Sequence, residues 1–303
     1  MTTTRDTTDS ATSSPEPSAG QLVRERQSRR RQLRARIAVH GILVGYTLVA
    51  LAPIAMIVMN SLKERAAIFD SPFAPPTPET FSGDGYESVF NRADFVTYFA
   101  NSITVTVASV VLTVLFAAMA AFALTEYRVK IAPFLLAYLA LGIMVPIRLG
   151  TVSILQLMNQ LGLVNTRTAL VLVYVAMGLP LAVVLLTQFF RQAPTELREA
   201  ARVDGASEYR VFAILLPIVR PGLAAVAVAS MLPIWNDLWF PLILAPSDAT
   251  STVTLAVQQF IGQFSADWNA VLATLTLGAL PLILLYLVFA RQFVRGLTAG
   301  VGK

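Results

Sequence analysis

The chain has 303 residues, 55% of them hydrophobic and only 14% charged, against roughly 25% charged in an ordinary soluble domain, which argues against a soluble globule. With no cysteine and a single histidine, His40, a disulfide scaffold, a thiolate metal site and a cysteine nucleophile are excluded, and most other metal and triad chemistry goes with them. A net charge of +5 rests on 23 basic residues against 18 acidic ones.

Residues 1–20 are rich in Thr, Ser, Pro and Asp with almost nothing apolar, too little to offset the entropy of ordering, so a disordered tail is expected. Seven arginines between Arg24 and Arg36 abut the first apolar run and lack interleaved aromatics. That context assigns them to topology and anionic-lipid contact, with no nucleic-acid role. Residues 1–36 therefore read as a polar tail plus a basic cytoplasmic segment, and 37–303 as the membrane domain. His40 falls at headgroup level near the inner end of the first span.

Six uncharged runs follow, at 37–62, 95–125, 131–147, 168–190, 221–236 with 238–247, and 268–290. Each approaches or exceeds the ~20 residues that cross a ~30 Å hydrocarbon layer. The expected fold is all-α, a polytopic membrane protein with six transmembrane helices. Ala50-Leu51-Ala52 has the form of a cleavage site, but Pro53 follows and the apolar run continues, so the first helix is read as uncleaved. An inside N-terminus and an inside C-terminus leave 18 of the 23 basic residues on the cytoplasmic side of the plasma membrane, as insertion requires.

The external segment 63–94 carries Pro72, Pro75, Pro76, Pro78, Gly83 and Gly85 and is expected not to be helical; it either meets a soluble partner or is a passive solvated loop. Breakers occur in the first, fourth, fifth and sixth spans, at Pro53, Gly178-Leu179-Pro180, Pro233 and Pro241, and Gly278-Ala279-Leu280-Pro281. They fit either a bundle enclosing a path or simple kinks that improve packing. In the second span Ala117, Ala118, Ala120, Ala121 and Ala123 form a small-residue stripe that allows close helix approach.

Chemistry narrows the function. No Gly-x-x-x-x-Gly-Lys-Ser/Thr loop occurs, so this chain carries no such phosphate cradle and energised work needs a partner. The spans offer no cluster of His, Asp, Glu or Ser for an embedded enzyme. Asp237, about 25 Å along the axis from Arg220, is the only intramembrane acid. With Trp235, Asn236 and Trp239 it can contact a sugar or serve as an interface anchor; the two tryptophans, four apart, are expected on one helix face. Gln258, Gln259, Phe260 and Gln263 precede Trp268 in the last external loop.

The internal loop 191–220 is the most informative stretch. Pro194 can open a helix, Glu196 and Glu199 lie near its positive end, and Gly205 can end it in a left-handed conformation after about 11 residues. Ser207 can cap a second helix running toward Pro217. The small pair Ala200 and Ala201 suits docking into a partner's groove, with a headgroup-level surface helix as the alternative.

Glu199-Ala200-Ala201, Asp204-Gly205-Ala206-Ser207 and Leu216-Pro217 resemble the EAA loop of permease subunits in binding-protein-dependent ABC importers. Asn101-Ser102 opening the second span, Leu161-Gly162-Leu163-Val164-Asn165-Thr166, Trp235-Asn236-Asp237, and Phe293-Val294-Arg295-Gly296-Leu297-Thr298-Ala299-Gly300 resemble the carbohydrate branch, the maltose-type second permease, with a shorter interval between Gly205 and Pro217. The similarity covers about 37–303. It implies a type I importer permease fold and a coupling helix, Glu199, Ala200, Ala201, Asp204, Gly205 and Ala206, inserted into an ATPase. Glu199 would be the polar anchor. Arg295 and Gly296 would form a second ATPase contact. The implied partners are an ATP-binding cassette ATPase dimer that uses ATP, a second permease subunit, an extracytoplasmic solute-binding protein, the sugar and membrane lipid. The chain itself would be no enzyme and bind no cofactor or metal. Another small polar solute, or an ion-coupled secondary transporter, are the alternatives.

Overall fold

The computed structural model describes residues 19–92, 94–127, 130–261 and 266–299, with side chains described from residue 36 to 284 apart from Arg92. Residues 1–18, Arg128, Gln263, Gly300 and Lys303, which figure in the sequence reading, lie outside the described residues. The chain divides into two units, Met1–Met56 and Ile57–Lys303. Every described element is helical apart from two isolated antiparallel bridges, Lys63 with Phe81 and Ile261 with Ala266.

Helix α1, Ala19–Asn60, is continuous over 42 residues, about 63 Å at 1.5 Å per residue. The basic stretch from Ala19 onward is therefore not a separate element; with no breaker between it and the apolar run, it continues the first span as one helix. Pro53 lies inside it without ending it. Within the first unit, the side chains from Arg36 to Ala55 are exposed.

The external segment departs from expectation. Two short helices, α2 (Arg65–Asp70) and α3 (Asp84–Arg92), form within 63–94. The prolines gather between them, so they bound the helices without interrupting them. Lys63 organises this region: it is fully buried, and its ammonium donates to Asn60 Oδ1 at 3.0 Å and to the Ser71 carbonyl at 2.8 Å. Asn269 in turn donates to the Lys63 carbonyl at 2.6 Å.

Helices α4 (Phe95–Glu126) and α7 (Arg167–Gln192) pack along their length. Ala117, Ala118 and Ala121 of the small-residue stripe are buried there with Leu186 and Phe190. A Cβ on Gly178 would stand 2.9 Å from Thr113 Cγ2, so the close approach of the two helices depends on that glycine. Pro180 lies inside α7, and its break does not end the helix. Asn101 and Ser102 are two turns inside α4, not at its opening. Asn101 donates to the carbonyls of Ala249 and Ser251, both at 3.0 Å, and Ser102 Oγ accepts from the Val253 amide at 2.9 Å.

The third apolar run is broken at Val145–Pro146: α5 is Ala132–Met144, and after a 3-10 turn α6 follows as Thr151–Gln160, bent by 81°. Asn165, at φ 63°, and Thr166, whose hydroxyl accepts from the Ala169 amide at 3.2 Å, start α7. The internal loop holds α8 (Thr195–Val203) and α9 (Glu208–Leu215), followed by α10 (Arg220–Trp235), α11 (Trp239–Leu244), α12 (Val253–Ala256) and α13 (Trp268–Ala299). Among the described residues, three helices are long and apolar enough to cross a membrane alone, with two bent pairs that pass together, α5 with α6 and α9 with α10. The core of the described residues lies in three clusters: the C-terminal ends of α4 and α7 with α8 to α10, the N-terminal end of α4 with α3, α12 and α13, and the middle of α4 with α6, α7, α10 and α11.

Candidate functional site

Helix α8 is nine residues long, two shorter than the sequence suggests, because it ends at Val203. Gly205 takes φ +77°. Its amide donates to the Arg202 carbonyl at 3.0 Å, and the Ala206 amide donates to the Ala201 carbonyl at 2.9 Å. These are the paired bonds of a Schellman C-cap, which satisfies carbonyls the helix leaves open. Ser207 stands at the N-cap position of α9, but its side chain makes no capping bond.

The faces of α8 differ. Glu199, Ala200 and Asp204 are exposed, whereas Ala201 is buried and Ala206 packs against the same cluster, with Phe122, Phe190 and Phe212. The small pair is therefore split. Ala200 faces outward, while Ala201 serves the chain's own core, because neighbours on a helix point about 100° apart.

Arg198, one residue before the motif, is 9% exposed. Its guanidinium reaches Glu126 Oε1 at 2.6 Å and the carbonyls of Phe190 and Ala193 at 2.7 and 2.6 Å. Glu126 ends α4, and its side chain is 2% exposed. Arg202 donates to Glu126 Oε2 at 2.8 Å and to Glu208 Oε1 at 2.9 Å. Those hydrogen bonds, Glu208 first, hold the Arg202 guanidinium above its ordinary pKa, and the bond from Arg202 holds the Glu208 carboxyl below its own. Sequence reading counted both arginines only as topological charge. The available signal was an acid at the end of an apolar run and two arginines four apart.

At its C-terminal end, α10 stops at Trp235 and the chain turns through Asn236, Asp237 and Leu238 before α11. The two tryptophans do not share a face, because that turn interrupts the helix. Trp235 is buried and donates to the Gly278 carbonyl at 2.9 Å, whereas Trp239 is part-exposed and donates to Thr151 Oγ1 at 3.0 Å, with the Arg148 guanidinium 5.6 Å from its ring. Asp237 accepts from the Tyr174 hydroxyl at 2.9 Å and from the Phe240 and Trp239 amides at 3.1 and 3.3 Å. Its carboxylate thus caps the first turn of α11. Beside the turn, a cavity of about 410 Å³ is lined by Trp235, Asn236, Thr254, Gln258 and Thr274 among apolar neighbours, with no charged residue among the described ones. Asp237 and Trp239 do not line it. Arg295 and Gly296 belong to α13, and the side chain of Arg295 lies outside the described residues.

A family of binding-protein-dependent transport system inner membrane components matches residues 85–299. The chain belongs to this family. It is therefore a membrane-embedded transport permease component. The diacetylchitobiose uptake system permease protein NgcG of Streptomyces coelicolor is 30% identical over 264 residues, covering 86% of this chain and 87% of its own length. The trehalose transport system permease protein SugB of Mycobacterium tuberculosis is 32% identical over 265 residues, covering 86% and 94%. A bacterial ABC transporter involved in the import of the acidic polysaccharide alginate has the same fold, with a TM-score of 0.75 at 22% identity over 87% of this chain and 98% of that one.

Proposed function

We propose that the chain is one of two permease subunits of an ABC importer for a carbohydrate, forming half of the translocation path and driven by a separate ATPase dimer that uses ATP. An extracytoplasmic solute-binding protein delivers the sugar. The chain crosses the membrane six times with both termini inside: α1, α4 and α7 span alone, α5 with α6 spans as a broken helix, α10 continued by α11 makes the fifth crossing with α9 left on the inner side, and α13 completes the set. This chain binds no cofactor or metal and catalyses no reaction.

The observation that carries the coupling role is the two-faced α8. One face is fixed to its own chain, and the other leaves Glu199, Ala200 and Asp204 free for a partner. A helix so held transmits force and does not slide along its own bundle. In the outer half, the neutral cavity beside the α10–α11 turn supports a sugar path past Trp235 and Asn236, since non-helical backbone at membrane depth is tolerated where it lines a cavity. The absence of charge in its lining favours an uncharged sugar. By the same geometry, Asp237 and Trp239 act as anchors of α11.

The test is uptake of labelled trehalose, diacetylchitobiose and other neutral sugars in cells lacking this chain, with recovery of partners in mild detergent. Stoichiometric ATPase and restored ATP-dependent uptake on complementation are expected. Uptake that follows an ion gradient with no ATPase recovered would overturn the reading.

A further inference from the structure

We propose that Arg198 and Glu126 form a permanent latch that makes α8 and the inner end of α4 one rigid lever throughout the transport cycle. The inference rests on the coupling role proposed above and names the residues that carry it across the membrane surface. Neither residue belongs to the exposed face offered to a partner; both act as positioning residues.

Three observations converge. First, the pair is buried: the side chains of Arg198 and Glu126 are 10% and 2% exposed, and they meet at 2.6 Å. Water does not weaken such a pair as it does a surface pair. Second, the same guanidinium forks onto the carbonyls of Phe190 and Ala193. These lie in the last turn and at the C-cap of α7, where the Phe190 carbonyl also accepts the Ala193 amide at 3.2 Å and the guanidinium is a second donor to it. One side chain therefore joins α8 to the ends of both long helices. Third, Arg202 occupies the other oxygen of Glu126 and continues to Glu208 on α9. Both carboxylate oxygens of Glu126 are taken from the α8 side, one by each arginine.

The carbonyls carry a further consequence. A lysine at 198 keeps a charge for Glu126 but cannot reproduce the planar fork. Among the described residues Arg198 Nε meets no acceptor, and the fork is made by its two terminal nitrogens. Torque on the free face of α8 then reaches α4 through Glu126 and α7 through Phe190 and Ala193, with no flexible segment between.

The experiment uses the assembled transporter, with its second permease and ATPase, in sealed vesicles supplied with the binding protein. ATP hydrolysis is measured beside uptake of labelled trehalose and diacetylchitobiose. The chain has no native cysteine, so E126C/R198C places the only thiols in this subunit at the latch. With the thiols reduced, hydrolysis persists while sugar moved per ATP falls about tenfold, within the usual range of coupling energies. Closing the pair with a short bismaleimide restores the ratio to within about twofold of wild type. Arg198→Lys, which keeps the charge and is the gentler change, lowers the ratio about fivefold without altering subunit recovery. A crosslinked transporter that stops importing shows that the contact must open during the cycle and overturns the latch. So does a wild-type ratio in the reduced cysteine pair or in Arg198→Lys. A wild-type complex that imports neither of these nor any other neutral sugar of the complementation panel condemns the carbohydrate transport reading, and the latch with it; wild-type import with unaffected variants condemns the latch alone.

Discussion

Glu199 and Glu126 are both acidic, yet their environments give them opposite dependences. Glu199 lies on the exposed face of α8, so Glu199→Lys is expected to change the thermal stability of the isolated subunit by no more than about 0.5 kcal/mol. The same variant should lose ATPase recovery and uptake. A melting curve in detergent and a pull-down separate the two effects. Glu126→Gln leaves the Arg198 charge buried without its counter-ion, a change that typically costs about 3 to 5 kcal/mol, and the melting temperature of the purified subunit should fall accordingly. Gly205 was legible because only glycine tolerates φ near +77° cheaply. Arg198 was not legible, since its partners lie 72 residues away and in backbone carbonyls that no sequence pattern marks.

At the scale of elements, α4 and α7 depend on one close approach. Gly178→Ala places a methyl 2.9 Å from Thr113 Cγ2, so the helices must separate, at about 1 to 3 kcal/mol. Thr113→Ser removes the opposing methyl and should recover most of that loss, which a double-mutant cycle of detergent melting temperatures will show. The α8–α9 junction should respond to acid. The Glu208 carboxyl is held below its usual pKa by Arg202, so its contribution is fully present above the unfolded carboxylate pKa and is lost as pH falls through the lower folded value. Arg202 is raised and stays charged throughout that range. Hydrogen exchange in the first turn of α9 should therefore accelerate only below the ordinary carboxylate titration, with no change between neutral and mildly alkaline pH. The helix breakers taught a related lesson: Pro53, Pro180, Pro233 and Pro281 all lie inside helices. Of the interruptions, Val145–Pro146 has Val145 extended ahead of its proline, 216–219 holds Pro217, and only 236–238 has no proline.

For the whole molecule, the placement of the basic residues yields a topology that a chain without cysteine makes simple to test. A single cysteine at Glu79, in the external segment, is expected to react with an impermeant maleimide on intact cells, and one at Asp204, on the exposed side of α8, only after permeabilisation. Reversed labelling would invert the assignment and remove the coupling loop from the cytoplasm.

Hydropathy and charge are local sums along the chain, and the bilayer reads them locally too. For that reason the membrane class, the apolar runs, the helix–glycine–helix form of the inner loop and its family resemblance could be taken from the residue order alone. The directions in which side chains point depend on neighbours distant in sequence. Only the folded chain could turn Ala201 inward while leaving Ala200 outside, part Trp235 from Trp239 by a turn, engage Asp237 as a helix cap, and bring Glu126 beneath Arg198. The physical reason is that burial and hydrogen-bond partnership are properties of space, set once helices far apart in the chain have packed.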